Sequence, residues 1–206
     1  MERKTFAAIM GLIIAVFFAA SAELKGECRQ LEENVLRLHI LAESDSERDQ
    51  SLKLMVRDAL LEKSEDIFGG ADSMEEMIAC AEENSELITE TAENVLRENG
   101  CDAKVSAKVE KIHFDKRVYG DITMPEGDYT ALRVVIGSGG GHNWWCVMFP
   151  PLCIPCFTGE MTEDEMLEKY DCVITEEQAE MLRSGDEYEI RFYFGELLEK
   201  LVESFG

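Results

Sequence analysis

Four side chains between positions 142 and 156 have the types and spacing that could perform chemistry. His142, Cys146, Cys153 and Cys156 form the pattern H-x3-C-x6-C-x2-C. Imidazole and thiolate groups are zinc ligands, and a histidine can also take a thiol proton to make a nucleophile. However, the spacing is not that of a familiar zinc finger, and catalytic pairs usually meet through the fold rather than along four residues of chain. For these two reasons, a small exported thiol or zinc enzyme is not our first interpretation of these residues. It is the alternative to the non-enzymatic function predicted below.

No other enzyme motif accompanies these residues. The chain contains no H-E-x-x-H, no G-x-S-x-G and no Asp-Thr/Ser-Gly, which are motifs of metalloproteases, serine hydrolases and aspartic proteases. The glycines at 137 and 139–141 could form a backbone nest for an anion, but neither Gly-Lys-Ser/Thr nor G-x-G-x-x-G follows. We therefore predict a protein with no catalytic residue, no cofactor and no small-molecule substrate.

The segment 137–157 has the composition of a shaped recognition surface. It holds both tryptophans and three of the four prolines beside a triple glycine. Glycine allows positive φ and proline fixes φ, so the backbone conformation is specified. Grouped aromatic side chains are typical of a contact patch, although they could also fill a core. We predict a contact loop at 137–157, and its candidate partner-binding residues are Gly141, His142, Asn143, Trp144, Trp145, Phe149, Pro150 and Pro151.

The two adjacent tryptophans are expected to divide their roles. Successive side chains of an extended segment point to opposite sides. One of Trp144 and Trp145 should therefore pack under the loop while the other faces a partner.

Two blocks of sequence resemble the stage II sporulation protein R family. The later block runs from Ala131 through Gly137 to Cys153, and the earlier block comprises Val35–Ser46, Asp49-Gln50 and Leu52–Ala59. The resemblance implies a secreted signal of endospore formation that is exported from the forespore. It further implies activation of a membrane-embedded aspartic protease in the adjoining mother cell, which then cleaves the precursor of a sigma factor. The segment Thr158–Glu187 lies outside the resemblance.

The resembling block contains Cys146 and Cys153 but not Cys156. Exported cysteine pairs more often form disulfides than zinc sites. A bond between Cys146 and Cys153 would enclose Pro150-Pro151 and hold the contact loop in one shape. We expect this disulfide, and the alternative is a zinc ion bound by His142, Cys146, Cys153 and Cys156. The chain has seven cysteines, so at least one is left without an intramolecular partner.

Residues 1–22 have the features of a signal peptide. Arg3 and Lys4 precede an uncharged apolar run over 6–20, and Ala20-Ser21-Ala22 has the small-x-small form that signal peptidase accepts. We expect cleavage after Ala22 and a location between the forespore and mother-cell membranes. A permanent N-terminal anchor is the alternative, but the run is shorter than the ~20 residues that span a bilayer comfortably.

The charge of the chain limits the class of partner. The net charge is −23 at pH 7, whereas nucleic acids and anionic lipids require clustered lysine and arginine. Nucleic acid is therefore excluded as a partner. A protein partner is still compatible with this charge. The acidity itself needs no specific binding role, because a high net charge keeps a protein soluble.

Hydrophobic periodicity predicts an α+β fold: a single domain with a mainly antiparallel sheet and helices on one face. A leader over 23–34 precedes a core domain at 35–157, and an acidic segment with a C-terminal strand and helix follows at 158–206. Arg37 and His39 alternate with apolar residues in the strand Val35–Ala42, which predicts a partly solvated face. The other predicted elements are a helix from an N-cap at Ser44 to Gly69-Gly70, a helix from Ser73 to Asn99-Gly100, strands at Ala103–Val109 and Tyr129–Ile136, a strand at Tyr188–Phe194 and a terminal helix through Phe205.

Overall fold

The computed structural model describes residues 28–71, 73–119 and 122–149, with isolated positions between 5 and 26 and between 175 and 182. The elements are β1 (Leu36–Leu41), α1 (Glu47–Glu62), α2 (Ser64–Phe68), α3 (Met74–Glu83), α4 (Ser85–Glu98), β2 (Val105–Phe114), β3 (Arg117–Tyr119), β4 (Ile122–Met124), β5 (Gly127–Ile136) and β6 (Asn143–Phe149). The predicted α+β class is confirmed. No helix in this described part is long and apolar enough to cross a membrane.

The described residues divide into two compact units. The larger unit covers 32–114 and 128–149 and contains β1, the four helices and most of the sheet. The smaller unit includes 115–119 and 122–127, where β3 and β4 pair as an antiparallel hairpin. All the residues that form the candidate site lie in the larger unit.

The four-stranded sheet has the order β2-β5-β1-β6. Strand β1 pairs in parallel with β5 and antiparallel with β6. On β2 and β5, His113 lies beside Asp128 and Glu110 beside Arg133, which is the antiparallel direction. The sheet is thus mainly antiparallel, as predicted. Because β1 and β5 are parallel, their carboxyl ends lie at the same edge, where β6 begins.

Helices α1 to α4 pack on one face of the sheet, as predicted. Leu36, Leu38 and Ile40 of β1 are almost completely buried against them. Residues Leu132, Val134 and Ile136 of β5 join the same core. This central strand pair therefore anchors the loops that follow it.

The opposite face of β1 is buried too, so the prediction of a partly solvated face was wrong. Arg37 is fully buried and His39 is 6% exposed. The guanidinium carbon of Arg37 lies 4.1 Å from the ring centroid of Phe114 and 4.9 Å from that of Tyr129. Aromatic faces attract cations, and this attraction offsets part of the cost of removing the charge from water.

The helix boundaries differ from prediction in three places. The N-cap of α1 is Ser46 rather than Ser44, because the Ser46 hydroxyl accepts from Asp49 N at 3.1 Å. Each long predicted helix is interrupted, the first after Glu62 and the second at Asn84. The apolar stripe continues across both interruptions, so periodicity did not reveal them. The cap at Ser73 and the stop at Asn99-Gly100 are confirmed.

The predicted loop at 137–157 contains a strand. Residues Asn143–Phe149 form β6 at the sheet edge, and Cys146 to Phe149 are buried. The sequence N-W-W-C-V-M-F lacks polar alternation because side chains on both faces of β6 pack against other residues. The predictions for 150–173, the C-terminal strand and helix, and the signal peptide fall largely or wholly outside the described residues.

Candidate functional site

The glycine-rich loop 137–142 is bonded through its backbone to the segment that follows β1. Gly141 N donates to Ala42 O at 3.0 Å, and Gly140 N donates to Glu43 O at 3.2 Å. We call this pair of segments, 42–45 and 137–142, the clasp. The clasp joins the carboxyl ends of the two parallel strands.

A carboxylate fills the turn at the start of the clasp. Glu43 accepts from Ser138 N at 2.8 Å and from Ser138 Oγ at 3.1 Å. Gly137 has φ of 57°, and a Cβ at this position would lie 1.2 Å from the Glu43 carboxylate oxygen. The positive φ therefore favours glycine here, and a side chain would also displace the Glu43 carboxylate from its bonds to Ser138.

A second glycine allows the two backbones to touch. A Cβ on Gly141 would lie 2.3 Å from the carbonyl oxygen of Ser44. Real Cβ atoms do not approach backbone atoms so closely. Any larger residue at position 141 would push the two segments of the clasp apart.

Asp45 holds His142 in one orientation. The Asp45 carboxylate accepts from His142 N at 2.6 Å and from the ring nitrogen Nδ1. A carboxylate can only accept, so we assign the proton to Nδ1 and leave Nε2 as an acceptor in the neutral ring. The side chains are 77% and 56% exposed for His142 and Asp45, so the pair faces solvent.

A buried lysine fixes the clasp from the helix side. Lys53 is 4% exposed, and its Nζ donates to His142 O at 2.9 Å and to Gln50 Oε1 at 2.6 Å. Gln50 in turn donates to Ser44 O at 2.9 Å. Burial lowers the pKa of Lys53, and the charge of Asp45 offsets part of that effect. Gln50 and Lys53 thus bond both segments of the clasp to α1.

The two tryptophans of β6 lie on opposite faces of the sheet, as strand alternation predicts. Trp144 packs against the helix-side core, with the guanidinium carbon of Arg57 at 4.3 Å from its ring centroid. Trp145 lies edge-on to His39 and Phe114, at centroid distances of 5.7 and 5.2 Å. Both indoles are half-buried. Neither stands clear of the protein.

The other predicted contact residues differ in exposure. His142 and Asn143 are exposed, Gly141 is half-buried and Phe149 is only 4% exposed. Pro150 and Pro151 lie outside the described residues. The exposed part of the predicted contact surface is therefore polar.

The geometry disfavours a metal or thiol centre on His142 and Cys146. Four residues of extended strand separate their Cα atoms by about 13 Å, which exceeds the reach of the two side chains to one ion. Over the described residues, no three His, Cys, Asp or Glu side chains could hold a metal. Cys153 and Cys156 lie outside that part of the chain.

The cysteines of the described part are in different states. Cys80 and Cys101 carry free thiols. Cys146 is buried in β6, and Cys153 lies outside the described residues. The pairing of Cys146 with Cys153 stays a prediction.

His39 is a buried imidazole beneath Trp145. Its ring nitrogens make no hydrogen bond of normal geometry among the described residues. Burial lowers the pKa of His39, and the nearby Asn143 side chain offsets part of the shift. The folded protein therefore favours the neutral ring.

Sequence reasoning found His142 but missed the residues that position it. Asp45, Glu43 and Lys53 were not selected as site residues. Asp45 lies 97 positions from His142 along the chain, so only the strand pairing brings them together. The one sequence feature that links them is the family resemblance, because Asp45 lies in the earlier resembling block and His142 in the later one.

Comparisons with known proteins match this part of the chain. Residues 32–158 match the family model described as stage II sporulation protein R (spore_II_R). The chain is also 34% identical over 167 residues to stage II sporulation protein R of Bacillus subtilis (strain 168), covering 75% of each chain. No solved structure matches. The matched region contains the whole clasp.

Replacing Gly141 with alanine should destabilise the protein. The added methyl group would collide with the Ser44 carbonyl, and overpacking of this kind costs about 1–3 kcal/mol. Urea unfolding measures the change. Gly140→Ala is the matched control, because its Cβ would lie 3.3 Å from Glu43 O and needs only a small shift. Equal stability of the two variants would contradict the close approach.

Acidification should destabilise the wild-type protein partly through His39. The unfolded chain takes up a proton on this histidine as the pH falls below about 6.5, whereas the folded protein, with its lowered pKa, resists it. Stability from the neutral ring is thus present above that pH and is lost as the pH falls towards the folded pKa. The unfolding free energy of His39→Phe should fall less than that of wild type between pH 7.5 and 5.5. The unfolding free energy is measured by urea titration at each pH. An equal fall in this free energy for wild type and His39→Phe would refute a contribution from His39.

Proposed function

Because the chain belongs to the stage II sporulation protein R family, we propose that it is the secreted forespore-to-mother-cell signal of endospore formation. It activates a membrane-embedded aspartic protease in the mother cell. That protease then processes the precursor of a sigma factor. The observation that carries the proposal is the family match over residues 32–158.

The geometry of the clasp supports a binding role. The loop is fixed by backbone hydrogen bonds, by Glu43 and by Lys53. A loop that is already ordered loses little conformational entropy when it binds a partner. Its exposed residues are held in place for recognition.

The contact surface is centred on Gly141, His142 and Asn143. Trp144 and Trp145 lie directly behind these residues and pack against the two faces of the sheet. Their role is to hold β6, and with it the start of the contact surface. Pro150 and Pro151 extend this surface in the proposal.

The proposed location is the space between the two membranes. Residues 1–22 act as the signal peptide, and an N-terminal anchor is the alternative. Outside the cytoplasm, Cys146 and Cys153 form the disulfide that closes the contact segment.

The exported protein should begin at Glu23 and contain the Cys146–Cys153 bond. N-terminal sequencing and mass spectrometry of a non-reduced digest test both points on one sample. Intact Met1 in the membrane fraction would favour the anchor. A digest in which Cys146 is linked to another cysteine, or binds zinc, would reject the pairing.

Co-expression in a non-sporulating host tests the signalling role. The host carries a candidate membrane protease and its sigma-factor precursor, with or without this chain. We expect precursor cleavage only when the chain is present and exported. Deleting residues 2–22 is the control, since the retained protein cannot reach the outer face of the membrane. Cleavage that is independent of the chain would reject the proposal.

A further inference from the structure

The Asp45–His142 pair retains two hydrogen-bond acceptors that the fold does not use. Both bonds from His142 go to one oxygen of Asp45, Oδ1. The second oxygen, Oδ2, has no partner among the described residues. Nε2 of His142 is likewise an acceptor in the tautomer that Asp45 selects. Both side chains are more than half exposed, so partner atoms can reach them.

The surroundings of this pair are negatively charged. Glu43, Asp45, Glu47 and Asp49 lie within seven residues. The nearby cations are occupied by the fold: Lys53 is buried on the His142 carbonyl, and Arg48 donates to Gly100 O at 2.7 Å. The exposed rim therefore favours a cationic group.

We infer that Asp45 and His142 together form the anchor for a basic side chain, lysine or arginine, on the receptor. The inference rests on the proposed function and names the chemistry of its contact. The ammonium or guanidinium group donates to Oδ2 of Asp45 and to Nε2 of His142. Such charge-assisted bonds are stronger than neutral ones, and a guanidinium can make both at once.

The chain supplies a matched control pair. His113 Nδ1 and Asp128 Oδ1 lie 3.0 Å apart, with side chains 56% and 70% exposed. This pair joins β2 to β5 and takes no part in the clasp. It is a second exposed pair of a histidine and a carboxylate, so removing the charge of Asp128 reports any general effect of surface charge.

Asp45→Asn separates recognition from folding. The amide oxygen of asparagine still accepts from His142 N and Nδ1, whereas the negative charge is removed. Wild-type protein, Asp45→Asn and Asp128→Asn are titrated onto vesicles that contain the candidate protease, with binding and precursor cleavage as separate readouts. We expect Asp45→Asn to remain folded but to need about tenfold more protein for half-maximal binding, and Asp128→Asn to behave as wild type. Raising the salt concentration should weaken wild-type binding more than binding of Asp45→Asn.

A second variant tests the inference if Asp45→Asn proves to be destabilised. If Asp45→Asn lowers Tm, His142→Ala decides, because it leaves the backbone bonds of residue 142 to Asp45 and Lys53 in place. We expect it to weaken binding several-fold with an unchanged Tm. Wild-type affinity for the folded variant overturns the inference, as does an equal loss for Asp128→Asn. Wild-type binding without precursor cleavage would reject the proposed function alone, whereas no wild-type binding would reject both.

Discussion

The direct contact between two backbones at Gly141 and Ser44 is the constraint on which the site depends. The two segments follow strands that are far apart in sequence but parallel neighbours in the sheet. Parallel pairing places both carboxyl ends at one edge, and glycine allows the chains that leave them to meet. The backbone hydrogen bonds from Gly140 to Glu43 and from Gly141 to Ala42 are made at the same close approach. Gly141 of the triple glycine is therefore a packing requirement rather than part of a flexible hinge or an anion nest.

The second face of β1 shows how the fold tolerates buried polar groups. Arg37 and His39 lie among the rings of Phe114, Tyr129 and Trp145. Removing such groups from water is costly, and the aromatic contacts compensate only part of the cost. Buried ionisable groups of this kind are weak sources of net stability. Because burial lowers the pKa of His39, this face makes the stability of the sheet dependent on pH in a way that an apolar face would not.

Periodicity in the sequence predicted the elements with local signals and missed those set by distant contacts. The alternation in β2, the apolar run of β5 and the helical stripes were sufficient to place these elements. The interruptions after Glu62 and at Asn84 do not alter the spacing of the apolar residues. At Asn84 the helix ends where the side chain donates to Ile67 O at 2.8 Å, which is a contact with another helix that periodicity does not report. Strand β6 was missed because its partner, β1, lies about one hundred residues earlier. The same separation concealed Asp45, whose role exists only once the strands are paired.

The tryptophan pair explains why the exposed residues at the start of β6 are polar. An exposed aromatic patch would provide apolar area for binding, but here each indole packs against a different face of the sheet. In the described part of the larger unit, Met55 is the one large apolar side chain that is exposed, and a single residue does not form a patch. What β6 presents at its start is a pair of polar residues, His142 and Asn143, on a rigid support. Polar contacts on rigid supports give orientation and specificity more than bulk affinity. The apolar residues of the segment therefore determine where the polar groups lie, and in the proposed function those polar groups select the partner.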